Sequence, residues 1–488
     1  MNKRMIIYML GRIALVEAVL LLLPLACALI YRESTIIAFL LTIGIAIAFW
    51  GLCSVFKPKN ETIYAREGFV IVALAWIIMS GIGALPFYIS RKIPHYYDAF
   101  FETVSGFTTT GASILNNVEA LSKGMLFWRS FSHWIGGMGV LVLVMAIIPT
   151  ETGRSIHIMR AEMPGPIVGK LVPKIKSTAK ILYLIYIVMT AIQVIMLLCG
   201  EMNLFESLVY SFGTAGTGGF SIDADSLTGY SSYTQWVITI FMLIFGVNFN
   251  LYYLIIIKKI RTAVKSEELW WYIGIVAVSS ALIAFNIYPL YENVSDSLRY
   301  SMFQVATIIS TTGYATADFN LWPSLSKAIL FILMFIGACA GSTAGGLKIS
   351  RVVLLFKTIR TNLKRMLHPR SVDSVRLEGK SVDAATVTNV TAYLAIYFMC
   401  FTLIFLVISF ENLGIETNIS AVAACFNNVG PGFDKVGPIG NYDIYSPLSK
   451  VILSFAMLLG RLEIMPIILL FSPFVWFRGS SKKSRGLI

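Results

Sequence analysis

Ten stretches of this 488-residue chain are long and apolar enough to cross a lipid bilayer, and that leaves few folds open. They lie near 13–30, 36–56, 68–90, 125–149, 181–200, 236–257, 269–291, 325–347, 392–410 and 448–477. A crossing helix takes about 20 residues. No water reaches the hydrocarbon core to satisfy backbone N–H and C=O groups, so each stretch must be helical. The charge content agrees: Asp, Glu, Lys and Arg make up 13% of the chain, against roughly 25% in soluble domains. The expected fold class is an all-α polytopic membrane protein. The first stretch holds Glu17 and Pro24 with no small-residue cleavage pattern behind it, so it reads as a retained span and not a signal peptide.

The net charge of +13 is unevenly spread. Lys and Arg number six in 154–180, four in 258–265, nine in 348–380 and four in 478–488. Segment 201–235 has Glu201, Glu206, Asp223 and Asp225 and no Lys or Arg. The positive-inside rule places the basic loops and both termini in the cytoplasm, although Arg91 and Lys92 run against it. This layout suits anionic membrane lipids and not nucleic acid. Carboxylates gathered on the far side would concentrate cations there. The six cysteines and four histidines are scattered without metal-ligand spacing or a disulfide framework. His133, beside Trp134, reads as a helix-packing histidine. Glu17 and Glu463, the main intramembrane acids, lie far apart and form no constellation, so an intramembrane enzyme is the disfavoured class. No G-x-x-x-x-G-K-[ST] motif occurs, so any nucleotide control must come from a partner.

Four glycine-centred tetrapeptides recur, each behind a hydrophobic span: Thr109–Ala112, Thr217–Phe220, Thr311–Tyr314 and Asn428–Pro431. Their third-position glycines, Gly111, Gly219, Gly313 and Gly430, are 108, 94 and 117 residues apart. In the first unit, Tyr97 to Phe107 predicts a short helix before the glycine. About 12 residues reach roughly 18 Å, so such a helix must be re-entrant. Its C-terminal end carries partial negative charge, which favours a cation. Backbone carbonyls can replace the water shell of a dehydrated cation. Glycine adopts the required backbone angles cheaply, and a preceding Thr or Asn can add a side-chain oxygen. The competing reading is a set of tight turns between packed helices.

Two further features stand inside apolar runs. Gly337 to Gly346 holds four Gly, three Ala, one Ser and one Thr. Gly337 and Gly341 satisfy a G-x-x-x-G packing face, while Gly345-Gly346 disfavours an unbroken helix at about 1 kcal/mol per glycine. The residues alone leave both readings open. Arg461 lies within 448–477 and needs water or a partner at that depth. Lys348 either acts with it or begins the basic segment.

The chain resembles the Trk/Ktr/HKT superfamily of potassium transporters over essentially its whole length, and most of all the TrkH branch. The resemblance is carried by Ser105-Gly-Phe-Thr-Thr-Thr-Gly111, Gly213-Thr-Ala-Gly-Thr-Gly-Gly-Phe220, Ser310-Thr-Thr-Gly-Tyr314, Asn427-Asn-Val-Gly-Pro-Gly432, Trp134-Ile-Gly-Gly-Met-Gly139 and Gly460-Arg-Leu-Glu-Ile-Met-Pro466. It implies ten transmembrane helices: an N-terminal pair (1–60), then four M1-P-M2 repeats (61–150, 151–265, 266–370 with an interrupted M2 helix, and 371–488) around a pseudo-fourfold pore. It implies K⁺ at Thr109, Thr110, Gly111, Gly218, Gly219, Thr311, Thr312, Gly313, Asn428, Val429 and Gly430. It also implies a gate at Gly341, Ser342, Thr343, Ala344, Gly345 and Gly346, with Gly345 and Gly346 as hinges and with Arg461 and Lys348 beside the gate.

Expected partners are K⁺ and Rb⁺, a second copy in a homodimer, membrane lipids and TrkA-like nucleotide-binding cytoplasmic regulatory subunits docked on 348–380. The expected setting is the bacterial inner membrane. Glycine at all four positions resembles the potassium-selective pattern. A Na⁺-coupled or less selective member of the same superfamily is the alternative. Asn428-Val429 before Gly430 departs from the Thr-x-Gly form, and Gly432 is a second candidate there.

Overall fold

A computed structural model describes residues 2–58, 65–139, 175–370 and 373–472. The remaining parts of the predicted runs 125–149 and 448–477, most of basic segment 154–180 and all of 478–488 lie outside the described residues. Among the described residues the chain is mostly helical, with one short hairpin, Arg376–Leu377 against Lys380–Ser381. Six helices are long and apolar enough to cross a membrane: Lys3–Ile30, Ile36–Ser54, Glu67–Ile89, Lys180–Leu198, Glu267–Tyr291 and Ala384–Glu411. Ser232–Phe245 and Phe249–Ile256 make a seventh if counted together. This is a multi-pass membrane protein. Glu67–Ile89 runs through the interior, while Ala384–Glu411 turns exposed Phe398, Leu403 and Leu406 outward, as a helix bathed in lipid does.

The predicted spans 125–149, 236–257, 325–347 and 448–477 differ from simple crossings. Each begins as a short helix: Lys123–Gly137, Ser232–Phe245, Ser324–Ile336 and Pro447–Arg461, of 15, 14, 13 and 15 residues. At 1.5 Å per residue these reach roughly 20–23 Å, short of the ~30 Å hydrocarbon core. A glycine stands at or beside every break (Gly137, Gly246, Gly337 and Gly460). After Phe245 the chain turns by 88° into Phe249–Ile256. After Ile336 it leaves the helix and resumes only at Ile349–Leu367. The carbonyls freed at these ends find new donors inside the protein: the Gly246 oxygen accepts the Cys339 N–H at 3.1 Å. Sequence hydropathy sees a continuous apolar run, yet at the described breaks residues such as Gly246, Ala338, Cys339, Leu462 and Ile464 are buried in protein, where irregular backbone is tolerated.

Between the long helices stand four shorter ones, Tyr96–Phe107, Leu204–Gly216, Val294–Ile309 and Ile415–Phe426. Each carries an acid in its first turn, respectively Asp98, Glu206, Asp296 and Glu416. Negative charge there complements the helix dipole. Leu204–Gly216 adds a full capping box, Asn203 with Glu206. All four end directly before the glycine tetrapeptides.

Candidate functional site

The four short helices terminate in one and the same way. The amides of Thr110, Gly218, Thr312 and Val429 each bond the carbonyl five residues back, at 2.8–2.9 Å. Those of Thr109, Thr217, Thr311 and Asn428 bond three residues back, at 3.1–3.3 Å. This pair of bonds is a Schellman cap, which needs a left-handed residue at its corner. The corner residues have φ of +57°, +57°, +56° and +56°. Three are threonine, a β-branched residue seldom found there, at a cost of roughly 1–2 kcal/mol each. The cap is identical in all four places although the residues differ, so the geometry belongs to the site and not to local propensity.

Past each cap the glycine turns the chain back, with φ of +80°, +76°, +91° and +98° at Gly111, Gly219, Gly313 and Gly430. The four turns close on one another. A Cβ built on Gly111 would stand 2.0 Å from the Gly218 carbonyl oxygen, and one on Gly219 would stand 2.0 Å from that of Thr312. On Gly313 it would stand 2.4 Å from the Val429 oxygen, and on Gly430 2.6 Å from the Thr110 oxygen. Each glycine therefore meets the main-chain oxygen just before the next glycine, and the fourth meets the first. The loops form a closed cyclic ring. Gly432 stands apart from it, packed against Val436 and Ser420.

Several side-chain groups before the glycines are engaged elsewhere. Thr110 Oγ1 shares a hydrogen bond with Thr108 Oγ1 (2.8 Å) and accepts one from Asn428 Nδ2 (2.9 Å). Thr312 Oγ1 pairs with Ser310 Oγ at 2.7 Å. Asn428 Nδ2 also donates to the Met457 carbonyl at 2.9 Å. These bonds lock the ring to its surroundings; Thr109 Oγ1 and Asn428 Oδ1 are buried without a hydrogen-bond partner, and the oxygens that the glycines meet at the seams are main-chain ones.

Behind the ring lie groups that the residue-by-residue reading undervalued. His133 is fully buried and bridges two units: Nδ1 lies 2.7 Å from the Gly106 carbonyl, and Nε2 lies 3.3 Å from the Phe220 amide. The only arrangement satisfying both bonds is a neutral ring with the proton on Nδ1. Arg129 is buried against Glu102 (Nε to Oε1, 2.9 Å), and Glu102 also accepts the Ile114 N–H at 3.0 Å. Arg129 donates on to the Ser221 carbonyl at 3.2 Å and covers the Phe220 ring. Lys450 holds Asp98 and Asp443, each at 2.8 Å, and the bond to Lys450 keeps Asp443 below the usual carboxylate range. Charges inside the short helices and their return segments were the available signal.

A cavity of about 120 Å³ opens on the glycine side of the ring, lined by all four glycines with Asn116, Arg129 and Asn441. No carboxylate is among its lining residues, but two stand directly behind them: Glu102 accepts from Ser113 at 3.0 Å and Asp443 from Asn116 at 3.0 Å. Asp223 accepts hydrogen bonds from Tyr210 and Tyr230 at 3.2 and 3.0 Å. A second cavity of about 60 Å³ lies on the other side, lined by Gly137, Gly341, Ser342, Ala344, Gly345, Gly346, Lys348, Gly460 and Arg461 among others.

The segment Gly337–Lys348 lines that cavity and packs against the helix caps beneath the ring. The Gly345 amide donates to Thr311 Oγ1 at 2.6 Å, and a Cβ on Gly345 would meet the Asn427 oxygen at 2.4 Å. Gly341, Gly346 and Lys348 all take positive φ (+70°, +72° and +70°). Arg461 ties the segment down. It donates to the Thr343 carbonyl at 2.8 Å and to the Gly136 and Gly137 carbonyls at 2.6 and 2.9 Å. A guanidinium suits this place because its rigid fork bonds several carbonyls at once. Lys348 is buried and reaches back to the Ala344 carbonyl. Glu463 pairs with Arg351.

The TrkH family, whose members are described as cation transport proteins, matches residues 35–274 and 284–476. The chain belongs to the TrkH family. The Trk system potassium uptake protein TrkH of Salmonella typhimurium is 34% identical over 487 residues, covering 98% of this chain and 100% of the relative. TrkG of Escherichia coli K12, also named a Trk system potassium uptake protein, is 31% identical over 481 residues, covering 97% and 99%. Among solved structures, the potassium transporter TrkH from Vibrio parahaemolyticus superimposes with a TM-score of 0.88 at 30% identity, covering 98% and 100%. Membership of the TrkH family makes this a transport protein and not an enzyme.

Proposed function

We propose that this chain carries K⁺ into bacterial cells across the inner membrane, through a pore whose narrowest part is the ring. The observation that carries the proposal is the cyclic contact of Gly111, Gly219, Gly313 and Gly430 with the main-chain oxygens of Gly218, Thr312, Val429 and Thr110. Such a ring presents carbonyl oxygens from four directions to an ion that has shed its water. Thr109, Thr110, Gly111, Gly218, Gly219, Thr311, Thr312, Gly313, Asn428, Val429 and Gly430 are its members. The identity of the ion comes from relatives named as potassium uptake proteins.

In this reading, residues 61–150, 151–265, 266–370 and 371–488 are four M1-P-M2 repeats, and 1–60 is an added pair of helices. Gly341, Ser342, Thr343, Ala344, Gly345 and Gly346 form a gate beneath the ring, latched by Arg461 and flanked by Lys348. Both termini face the cytoplasm. The basic segment 348–380 docks TrkA-like nucleotide-binding subunits, and the transporter works as a homodimer.

The test is ⁸⁶Rb⁺ uptake into liposomes holding the purified protein. Excess K⁺ suppresses uptake and the same excess of Na⁺ does so far less. Equal suppression by the two ions refutes the selectivity assigned to the ring.

A further inference from the structure

The loop Gly337–Lys348 is fastened from a second direction, away from the ring. Glu268 stands in the first turn of the helix Glu267–Tyr291 and is buried. One oxygen of its carboxylate, Oε1, accepts the Ala340 N–H at 2.7 Å and the Ser350 N–H at 3.1 Å. Ala340 lies on the way into the loop and Ser350 just beyond its exit, in the first turn of Ile349–Leu367. One side chain therefore holds both ends of the excursion. A carboxylate is apt for this, since the amides at a helix start lack intrahelical acceptors and carry partial positive charge. Without Glu268, two buried donors would be left unpaired, which is costly.

Glu268 is itself set by another acid. The hairpin Arg376–Leu377/Lys380–Ser381 turns through Glu378 and Gly379, at φ +51° and +73°. Two consecutive left-handed residues are what a two-residue primed turn requires. From this tip, Glu378 Oε1 accepts the Ser266 hydroxyl at 2.9 Å and the Glu268 N–H at 3.2 Å. Ser266 occupies the N-cap position of Glu267–Tyr291, yet its side chain makes no capping bond to that helix. Glu378, more than 100 residues later, supplies the capping acceptor instead. The hairpin is anchored by buried Leu377 and by Lys357, which donates to the Arg376 carbonyl at 2.8 Å and pairs with Glu267.

We infer that Glu378 and Glu268 form a relay through which the hairpin holds the intramembrane loop in place. The inference rests on the reading of Gly337–Lys348 as the gate. Both acids are positioning residues, and neither lines the two cavities described above. Drawing the hairpin away removes the acceptor from Ser266 and from the Glu268 amide. The first turn of the helix then frays, and with it goes the carboxylate that fastens Ala340 and Ser350. Pull on an exposed hairpin is thereby converted into release of a buried loop. Sequence reasoning passed over both acids, because Glu268 opens a helix at the membrane edge and Glu378 lies in a basic segment.

The experiment uses the full chain in liposomes without any partner. Glu378→Ala and Glu268→Ala are each expected to raise ⁸⁶Rb⁺ uptake by roughly three-fold or more, with the K⁺/Na⁺ competition ratio unchanged. The double variant should conduct no more than Glu268→Ala alone, because both act on one linkage. Hydrogen exchange reads the relay directly: in Glu378→Ala, the Ala340 and Ser350 amides exchange faster, and Glu378→Gln, which keeps an acceptor oxygen, restores most of their protection. Glu378 is exposed, so its variants keep the test alive should Glu268→Ala fail to fold. Wild-type exchange at Ala340 and Ser350 in Glu378→Ala overturns the relay. Faster exchange there with unchanged uptake, joined by unchanged uptake on deleting Gly341–Gly346, strikes the gate reading and leaves the relay standing.

Discussion

Serine in place of Gly313 is expected to lower the K⁺/Na⁺ competition ratio by roughly tenfold or more, equivalent to about 1.4 kcal/mol of lost discrimination. Two independent causes act together. Gly313 has φ +91°, a backbone conformation that side-chain-bearing residues rarely adopt. A Cβ there would also lie 2.4 Å from the Val429 oxygen and 2.9 Å from Pro431 Cδ, and neither is a flexible side-chain end that can swing aside. The Val429 carbonyl must move, and the ring opens on the side where the third unit meets the fourth. Competition of K⁺ and Na⁺ against ⁸⁶Rb⁺ uptake measures the change. A ratio equal to that of the wild type removes Gly313 from the filter.

Deleting Gly341 to Gly346 is expected to raise ⁸⁶Rb⁺ uptake on the order of tenfold, as removal of a barrier of about 1.4 kcal/mol does. The deletion takes out the Gly345 amide that bonds Thr311 and the Thr343 carbonyl that Arg461 grips. It leaves the frame intact, because the loop is an excursion with adjoining ends. The Leu347 amide bonds the Phe335 carbonyl and the Ile349 amide bonds that of Ala338, both at 3.1 Å. The shortened chain can therefore close without pulling the flanking helices apart. Uptake at the wild-type level in a folded deletion variant would dismiss the gate.

Much of this architecture is legible in the residues because lipid removes alternatives. The long helices follow from apolar length, and the short ones from an acid followed by an apolar run that stops at glycine. Gly111, Gly219, Gly313 and Gly430 stand out because nothing but glycine fits where a neighbouring carbonyl comes within 2.0–2.6 Å of the Cβ position. The ends of the second helices were harder to read. Lys123–Gly137 stops inside apolar sequence where Arg461 takes up its last carbonyls, a partnership that spans more than 300 residues, and near the end of Pro447–Arg461 the Met457 carbonyl accepts the Asn428 amide.

The side-chain roles were hidden for a similar reason. A threonine before a ring glycine suggests a ligand oxygen, yet the Thr311 hydroxyl holds Gly345 and the Asn428 amide joins Thr110 to Met457. His133 looks like packing because its partners, Gly106 and Phe220, lie 27 and 87 residues away. Residue type reports which bonds a side chain can make, and only the assembled fold reports which of them it makes.

Anomalous scattering from crystals of the full chain grown in Rb⁺ tests the central claim most directly. The account predicts a Rb⁺ peak on the common axis, ringed by the main-chain oxygens of Thr110, Gly218, Thr312 and Val429, and its loss when Na⁺ replaces Rb⁺. Density confined to the outer cavity, or a ring axis empty of Rb⁺ while the ion sits elsewhere in the protein, would contradict it.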